Sequence, residues 1–341
     1  ESPNVSQTGQ SGAADPEKGA ERRGEYPDVK HVPKRRCYLG TVPSGGDRPA
    51  LAPRCDREAA EFIPLEWVEN SCFIAAATHA LLMIPQFREY YRHKLQPWHS
   101  FRTHVRSPNN PLCGPQFVGV DHQDANEFVV CLLDKWSLKP KLVGARLRSH
   151  LTCSLCGTSR CVDDGEVSWT TILNLRVGSA SLQGGLKELQ RTERMDGDSC
   201  VKCENCDTKT PQDKQLLVTE LRDYVFIEFS RFDEDRNKSK QPIHIDEVLR
   251  LGAGECSLRA VILHHGNMAK SGHFTTLVRY GAEGSNWWCD DGGRRERFGR
   301  DVLKKPMVQT NCYGFIYKKV PGRSACHASR MPACCSQRLA R

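Results

Sequence analysis

Apolar residues follow no sustained period over the first part of the chain. Residues 1–60 are rich in Gly, Pro, Ser and charged side chains, and regular patterning begins only at Phe62 and Ile63. A segment of this composition buries too little apolar surface to offset the conformational entropy that folding removes. We therefore expect residues 1–60 to form a disordered N-terminal arm.

The first third of the patterned region shows helical signals. Ser71 is a suitable N-cap for an Ala- and Leu-rich run from Phe73 to Met83, and Pro85 follows that run closely. Because proline does not continue a helix, we expect this first helix to stop before Pro85. A second helix is predicted from Asp121 or Gln123 to Trp136, where apolar residues recur at the spacing of one helix face.

From Leu151 onward the pattern changes to short runs of β-branched and aromatic residues, which are typical of strands. The predicted strands are Ser168 to Val177, Leu216 to Glu220, Tyr224 to Phe229, Leu258 to His264, His273 to Tyr280 and Tyr313 to Tyr317. The sequence thus predicts an α+β domain over residues 61–319, helical first and then mostly sheet. Residues 320–341 lose the pattern again, and we expect a loose, basic C-terminal tail.

The charge balance favours neither a nucleic acid nor a membrane as partner. The 341 residues carry 49 Lys and Arg against 41 Asp and Glu, a formal net charge of +8 that is spread widely. The most one-sided piece is the tail, whose basic residues fit a solvated end better than a recognition surface. No apolar run approaches the roughly 18 residues that a spanning helix needs. We expect a monomer that binds no membrane, with nucleic acid an unfavoured partner.

Seventeen cysteines are unevenly distributed, and several form Cys-x-x-Cys pairs. Such pairs are more typical of metal ligands in a reduced compartment than of a disulfide framework, so we expect a cytoplasmic or nuclear protein. Cys153 with Cys156 and Cys203 with Cys206 could converge on one tetrahedral zinc ion, with no coordination position left open. Such a closed site would be structural. Cys200 forms a further Cys-x-x-Cys with Cys203, so the choice of ligands stays open at this point.

Cys72 lies at the start of the first predicted helix. Only the thiolate form of cysteine is a good nucleophile, and the positive end of a helix dipole lowers the thiol pKa. Taken alone, Cys72 is better interpreted as an apolar cysteine packed beneath the helix. Its interpretation as a nucleophile depends on partners further along the chain.

Those partners are His273 and Asp290. His273 begins a β-branched run, and a turn-forming segment then leads into a second run that contains Asp290. Two strands joined in this way form a hairpin, which would place the acid beside the histidine. The acid could then fix the imidazole tautomer while the other ring nitrogen takes the thiol proton. Gly272, just before His273, would let a substrate backbone approach closely.

In chain order, these segments and their neighbours resemble the characteristic blocks of ubiquitin-specific proteases. The blocks are Asn70-Ser71-Cys72-Phe73, Gln123-Asp124-Ala125-Asn126-Glu127-Phe128, Tyr224 to Phe232, Ala260 to Gly266, Ser271-Gly272-His273-Phe274, Trp288-Cys289-Asp290-Asp291 and Tyr313 to Tyr317. The resemblance covers Phe62 to Lys319. It implies a papain-like cysteine protease fold with a helical thumb, a β-rich palm and zinc-ribbon fingers at about residues 148–232.

The resemblance also implies roles for individual residues. The family's nucleophile falls on Cys72, its general base on His273 and its third triad member on Asp290, with Asp291 as the neighbouring acid. Gln123 and Asp124 match the block that faces the substrate's C-terminal tail, although Asp124 near a helix start is equally an ordinary dipole-complementing residue. The four zinc-binding cysteines of the family match Cys153, Cys156, Cys203 and Cys206, which favours this set over Cys161 or Cys200.

The sequence departs from the family just before the nucleophile. Family members usually carry an oxyanion-stabilising Asn five residues before the cysteine and a Gly three residues before it, and these positions hold Trp67 and Glu69 here. Losing one oxyanion donor can cost about a hundred- to a thousand-fold in turnover. Asn70 is a candidate substitute. We therefore expect a slow or specialised enzyme.

Three hypotheses about function follow from these residues. The first is a thiol-dependent deubiquitinase that hydrolyses the isopeptide or peptide bond after the C-terminal Gly of ubiquitin. The second is a protease for a ubiquitin-like modifier such as SUMO, and the third is a weakly active or inactive ubiquitin-binding pseudoenzyme. Zinc is the one cofactor predicted, in a structural role, and none is predicted for catalysis.

Overall fold

The computed structural model describes residues 63–109, 114–135, 142–162, 169–176, 178–252, 254–269, 271–279 and 286–321. The predicted N-terminal arm and nearly all of the predicted basic tail lie outside the described residues, so both stay predictions. The helices are α1 (Cys72–Leu81), α2 (Pro85–Tyr90), α3 (Trp98–Val105), α4 (Ala125–Lys135), α5 (Leu182–Leu189) and α6 (Pro306–Asn311). None of the described helices is both long and apolar enough to cross a membrane.

The first predicted helix is present as α1, and every one of its residues is buried. Pro85 does more than stop it, because Pro85 is the first residue of α2, where its missing N–H costs nothing. The second predicted helix begins later than expected, at Ala125. Asp124 caps it instead of joining it: its Oδ1 accepts from the backbone N–H of Asn126 at 2.7 Å and of Glu127 at 3.0 Å.

The strands, in chain order, are β1 (Ala145–Cys153), β2 (Ser159–Val162), β3 (Trp169–Thr170), β4 (Ile172–Arg176), β5 (Glu193–Met195), β6 (Val201–Cys203), β7 (Thr208–Thr210), β8 (Gln212–Leu221), β9 (Tyr224–Ser230), β10 (Val248–Leu251), β11 (Gly254–Met268), β12 (Ser271–Val278), β13 (Trp287–Asp291), β14 (Arg294–Phe298) and β15 (Cys312–Lys319). The larger sheet has the order β14-β13-β12-β11-β15-β9-β4, and β10 pairs with β11. The mixed α+β prediction is confirmed.

The larger sheet is buried on both faces. Successive residues of β11 alternate between two clusters, with Ile262 packing on the side of α1 and Leu263 on the side of α5 and α6. In β12, Phe274 and Leu277 divide in the same way. This alternation follows from the two-residue period of a strand. It brings the N-terminal end of α1 against the start of β12, where the candidate active-site residues lie.

A second sheet, of order β2-β1-β8-β5, and the β6–β7 hairpin carry the Cys-x-x-Cys pairs. Cys153 is the last residue of β1 and Cys203 the last residue of β6, and each pair continues into the turn that follows its strand. The predicted metal ligands therefore lie at strand ends rather than in the core of either sheet.

Candidate active site and cysteine cluster

Cys72 is the first residue of α1, and it is 3% exposed. The turn before it is held by Ser71, whose Oγ donates to the Val68 carbonyl at 2.7 Å and accepts from the Val68 N–H at 3.0 Å. The hydroxyl of Ser71 is therefore used within the turn, and it makes no capping bond to α1. The sulfur of Cys72 lies at the positive end of the helix dipole, as the sequence predicts.

Cys72 and His273 have strongly and oppositely shifted pKa values. Burial raises the pKa of Cys72, but hydrogen bonds from His122 and His273 and their charges outweigh burial and lower it to about 6. Burial lowers the pKa of His273, while its hydrogen bonds with Asp291 and Cys72 and the charges of both raise it to about 9. Between these two values the pair is a thiolate and an imidazolium, which is the reactive form of a cysteine hydrolase.

The carboxylate that contacts His273 is Asp291. His273 Nε2 lies 2.7 Å from Asp291 Oδ1. Asp290 instead accepts two hydrogen bonds from Arg295, from Nε to Oδ1 at 2.7 Å and from Nη2 to Oδ2 at 2.8 Å, and its side chain is fully buried. The prediction that Asp290 contacts His273 is therefore corrected to Asp291.

Strand pairing explains the correction. Asp290 lies opposite Thr276 of β12 and opposite Arg295 of β14. Directly opposite residues of antiparallel strands share a face, and Thr276 faces α1, where its hydroxyl donates to the Ala76 carbonyl at 2.8 Å. Asp290 therefore lies on the α1 face beside Arg295. Asp291 falls on the other face, which alternate residues of β12 share with His273.

Two further histidines lie beside His273 on β11. His265 Nε2 is 2.8 Å from Thr275 Oγ1, and burial followed by the charge of His273 lowers the pKa of His265 well below its usual value. Burial lowers the pKa of His264 to about 3. Both are therefore neutral near pH 7 and leave the imidazolium of His273 without a charged neighbour on that strand.

His122 is a site residue that the sequence analysis missed. A hydrogen bond from its ring and its charge both lower the pKa of the Cys72 thiol, and the ring stacks on Phe274, with 5.3 Å between centroids and 10° between planes. It directly precedes Gln123 in the segment where the second helix was predicted to begin. No local signal distinguishes it, because its contact with Cys72 depends on how that segment returns to α1.

The residues before Cys72 lie in an ordered loop. Trp67 packs against His273, with ring centroids 4.9 Å apart and planes tilted by 53°. Glu69 has φ of 54°, a left-handed conformation that glycine adopts more readily, and its carboxylate pairs with Arg106 at 3.2 Å. Asn70 Nδ2 donates to the Val120 carbonyl at 3.0 Å. The amide of Asn70, the candidate oxyanion donor, is thus used to join two loops.

Two of the three predicted substrate-tail residues, Asp124 and Gly272, have a structural role in the fold. Asp124 caps α4 through Oδ1, and Tyr313 donates its hydroxyl to Oδ2 at 2.6 Å. Burial raises the pKa of Asp124, against these hydrogen bonds. Gly272 has φ of +136°, and a Cβ there would collide with the His265 carbonyl oxygen. The fold itself therefore requires glycine at 272. Contact of Gln123, Asp124 and Gly272 with a substrate stays a prediction.

The four predicted zinc ligands, Cys153, Cys156, Cys203 and Cys206, form one cluster. Their sulfur atoms all lie within 4.8 Å of one another, with 3.9 Å between Cys153 and Cys206 and 3.6 Å between Cys156 and Cys203. Four sulfurs at about 2.3 Å from a tetrahedral zinc would be about 3.8 Å apart. The donor set and its spacing therefore fit a metal ion, and Cys200 is not part of the cluster.

The region that carries these sites matches a known family. Residues 65–317 match the model of the family described as ubiquitin carboxyl-terminal hydrolase. The chain belongs to this family. The predicted resemblance to the ubiquitin-specific proteases is confirmed.

Relatives of this ubiquitin carboxyl-terminal hydrolase family member include ubiquitin carboxyl-terminal hydrolase 51 of Mus musculus, 24% identical over 312 residues that cover 65% of this chain and 46% of the relative. Another is ubiquitin carboxyl-terminal hydrolase 23 of Arabidopsis thaliana, 24% identical over 225 residues that cover 57% of this chain and 25% of the relative. The chain thus spans less than half the length of either relative.

A solved structure with a similar fold is the SAGA Ubp8/Sgf11/Sus1/Sgf73 DUB module bound to ubiquitin aldehyde. The similarity has a TM-score of 0.62 at 14% sequence identity, and it covers 80% of this chain and 72% of that chain. At this identity the likeness shows that the two chains share a fold.

Proposed function

We propose that the protein is a thiol-dependent deubiquitinase that cleaves the peptide or isopeptide bond after the C-terminal glycine of ubiquitin. The observation that carries the proposal is the constellation of Cys72, His273 and Asp291 inside the region that matches the family. The ubiquitin aldehyde bound to the structurally similar module supports ubiquitin as the substrate class, because an aldehyde carbonyl stands in for the carbonyl that a thiol attacks.

In the proposed mechanism, the Cys72 thiolate attacks the carbonyl carbon of the terminal glycine. The tetrahedral intermediate collapses to a thioester as the leaving amine takes a proton from the His273 imidazolium. The neutral imidazole then removes a proton from water, whose oxygen attacks the thioester. Collapse of the second intermediate expels the thiolate and releases a carboxylic acid, which loses its proton to solvent, and His273 keeps the proton taken from water. Asp291 is the positioning residue that orients His273 and stabilises its charged form.

We also propose that the cysteine cluster holds one structural zinc ion. Its ligands join the end of β1 to the hairpin of β6 and β7. A closed four-thiolate site leaves no position for a reacting group, so its contribution is to folding.

The decisive experiment uses ubiquitin and SUMO, each carrying a C-terminal electrophile that traps an active-site thiol. We expect a covalent adduct with ubiquitin in the wild type and none in Cys72→Ala. An adduct with SUMO alone would favour the ubiquitin-like-modifier hypothesis. Binding of ubiquitin without any Cys72-dependent adduct would favour the pseudoenzyme hypothesis and refute the proposed activity.

A further inference from the structure

Attack by Cys72 would create an oxyanion that needs hydrogen-bond donors. Three side chains near the thiol are turned to other partners in the described part of the chain. Trp67 packs on the ring of His273, Asn70 donates its amide to the Val120 carbonyl, and Ser71 donates its hydroxyl to the Val68 carbonyl. None of these interactions directs an N–H or O–H donor at the carbonyl group that Cys72 would attack.

His122 differs from these three because its ring acts on the reacting sulfur itself and lowers the pKa of the Cys72 thiol. Its face is held against Phe274 with a 10° angle between planes, which fixes the direction of its ring nitrogens. Nε2 of His122 is buried and has no hydrogen-bond partner within the part of the chain that the structure describes. Leaving this nitrogen without a partner is costly in the free protein, and in the tautomer that carries the proton on Nε2 it is a donor available to an oxygen atom that the substrate brings.

The segment that carries His122 is joined to the loop before the nucleophile. Asn70 bonds the Val120 carbonyl at 3.0 Å, and Arg106 bonds Glu69 at 3.2 Å. The Gly119 N–H in turn donates to the Arg106 carbonyl at 3.0 Å. These contacts hold the segment that carries His122 against the loop that precedes Cys72. A donor held in place in this way is preorganised, which stabilisation of an oxyanion requires.

We infer that His122 is a catalytic residue that donates a hydrogen bond to the oxyanion formed when the Cys72 thiolate attacks its substrate. This inference rests on the proposed function. As the S–C bond forms, the carbonyl π electrons move to the oxygen, which remains bonded to the carbon next to the sulfur. A ring N–H held beside the sulfur is within reach of that oxygen. On collapse the C=O bond re-forms, the amine leaves with the proton from His273, and His122 keeps its own proton.

The test compares two variants. His122→Phe keeps a ring against Phe274 and removes both nitrogens, whereas His122→Gln retains an N–H donor. On a fluorogenic amide of the ubiquitin C-terminus, we expect kcat of His122→Phe to fall about a hundred- to a thousand-fold, with KM nearly unchanged. His122→Gln should recover at least about tenfold of that loss. Affinity for ubiquitin aldehyde should fall in parallel with kcat, because its adduct carries the same oxygen.

Alkylation of Cys72 by iodoacetamide separates this role from simple stabilisation of the thiolate. Alkylation forms no oxyanion, so its rate on the high-pH plateau, where the thiol is fully ionised, should change less than about threefold in His122→Phe. The matched control is His93→Phe, because His93 is a largely exposed histidine on the helical turn after α2. This control should leave all rates unchanged, and unfolding temperatures should confirm that every variant is folded.

Two results would overturn the inference while leaving the proposed function intact. One is an active wild type whose kcat survives His122→Phe within about threefold. The other is an equal loss of hydrolysis and of plateau alkylation, which would mean that His122 acts only on the thiol. If the wild type shows neither turnover nor a Cys72-dependent adduct, the proposed function is refuted, and the role of His122 is refuted with it.

Discussion

Replacement of Asp291 should impair catalysis, whereas replacement of Asp290 should lower the stability of the fold. Asp291 contacts His273, so Asp291→Ala should lower the pKa of His273 and slow the reaction while leaving the fold intact. Asp290 contacts Arg295, so Asp290→Ala should destabilise the fold and leave the pH dependence of the reaction unchanged. The two acids are adjacent in sequence, which makes them a matched pair.

The magnitude for Asp291 follows from the shift at His273. A rise from 6.5 to about 9 corresponds to about 3 kcal/mol in favour of the imidazolium. The hydrogen bond to Asp291 is the first of the stabilising contributions, ahead of those from Cys72. Removing the carboxylate should therefore lower the pKa of His273 by about one to two units. Activity that requires the imidazolium is lost as pH rises through this pKa, so the basic limb of the profile should move to lower pH.

The magnitude for Asp290 follows from its burial. Its carboxylate is fully buried and bonded twice to Arg295, whose side chain is 13% exposed. Breaking such a pair by removing one partner leaves an uncompensated charge and costs about 3–5 kcal/mol. Asp290→Asn keeps the shape of the side chain, and it serves as a second variant if Asp290→Ala does not fold.

The assay is kcat/KM for a ubiquitin amide as a function of pH, together with urea unfolding monitored by tryptophan fluorescence. Asp291→Ala should shift the basic limb and lower kcat/KM at neutral pH by about a hundred- to ten-thousand-fold, with a nearly unchanged unfolding midpoint. A shifted basic limb in a folded Asp290 variant, with none in Asp291→Ala, would refute the assignment of Asp291.

Three further predictions concern the thiol, the metal and the backbone. Alkylation of Cys72 by iodoacetamide should rise with an apparent pKa of about 6 rather than 9.0, and a midpoint near the latter value would contradict the ion pair. Purified protein should contain about one zinc per chain by elemental analysis, reduced by Cys153→Ser and retained by Cys200→Ser; equal metal content in both variants would refute the ligand set. Gly272→Ala should destabilise the fold by at least about 1–3 kcal/mol in urea unfolding, because of its positive φ and the collision with the neighbouring strand, whereas Gly299→Ala, with nothing within 4 Å of its Cβ, should be neutral.

Much of this architecture could be predicted from sequence because it is encoded locally. The Ala- and Leu-rich run produced α1, and the β-branched runs produced the central strands. The ligands of the cysteine cluster were predictable for a related reason, since each Cys-x-x-Cys spans adjacent corners of a tetrahedron. The choice of these four cysteines over Cys200 depended on the resemblance to the family.

The choice between Asp290 and Asp291 could not be made in this way. The hairpin pattern predicts that β12 and β13 pair, but the face on which each acid falls depends on register. A shift of one residue exchanges the two faces of a strand. The pairing of Asp290 with Thr276 and Arg295 decides the question, and no local pattern encodes it. His122 escaped prediction for a similar reason, because its contact with Cys72 spans 50 residues of sequence.

This chain has Trp67 and Glu69 where the family usually has Asn and Gly. The environment of Cys72 indicates whether these natural replacements abolish catalysis. A thiol that had become a mere core residue would be expected to show the raised pKa that burial alone produces, as the buried Cys256 does, at about 12. The thiol of Cys72 is just as buried, yet two imidazoles bring its pKa to about 6. Glu69 keeps its left-handed turn although glycine is absent, because Arg106 and the Asn70–Val120 bond hold the loop. A low thiol pKa and an ordered loop are the conditions that nucleophilic attack requires. The replacements therefore bear on how the oxyanion is stabilised more than on how the nucleophile is formed.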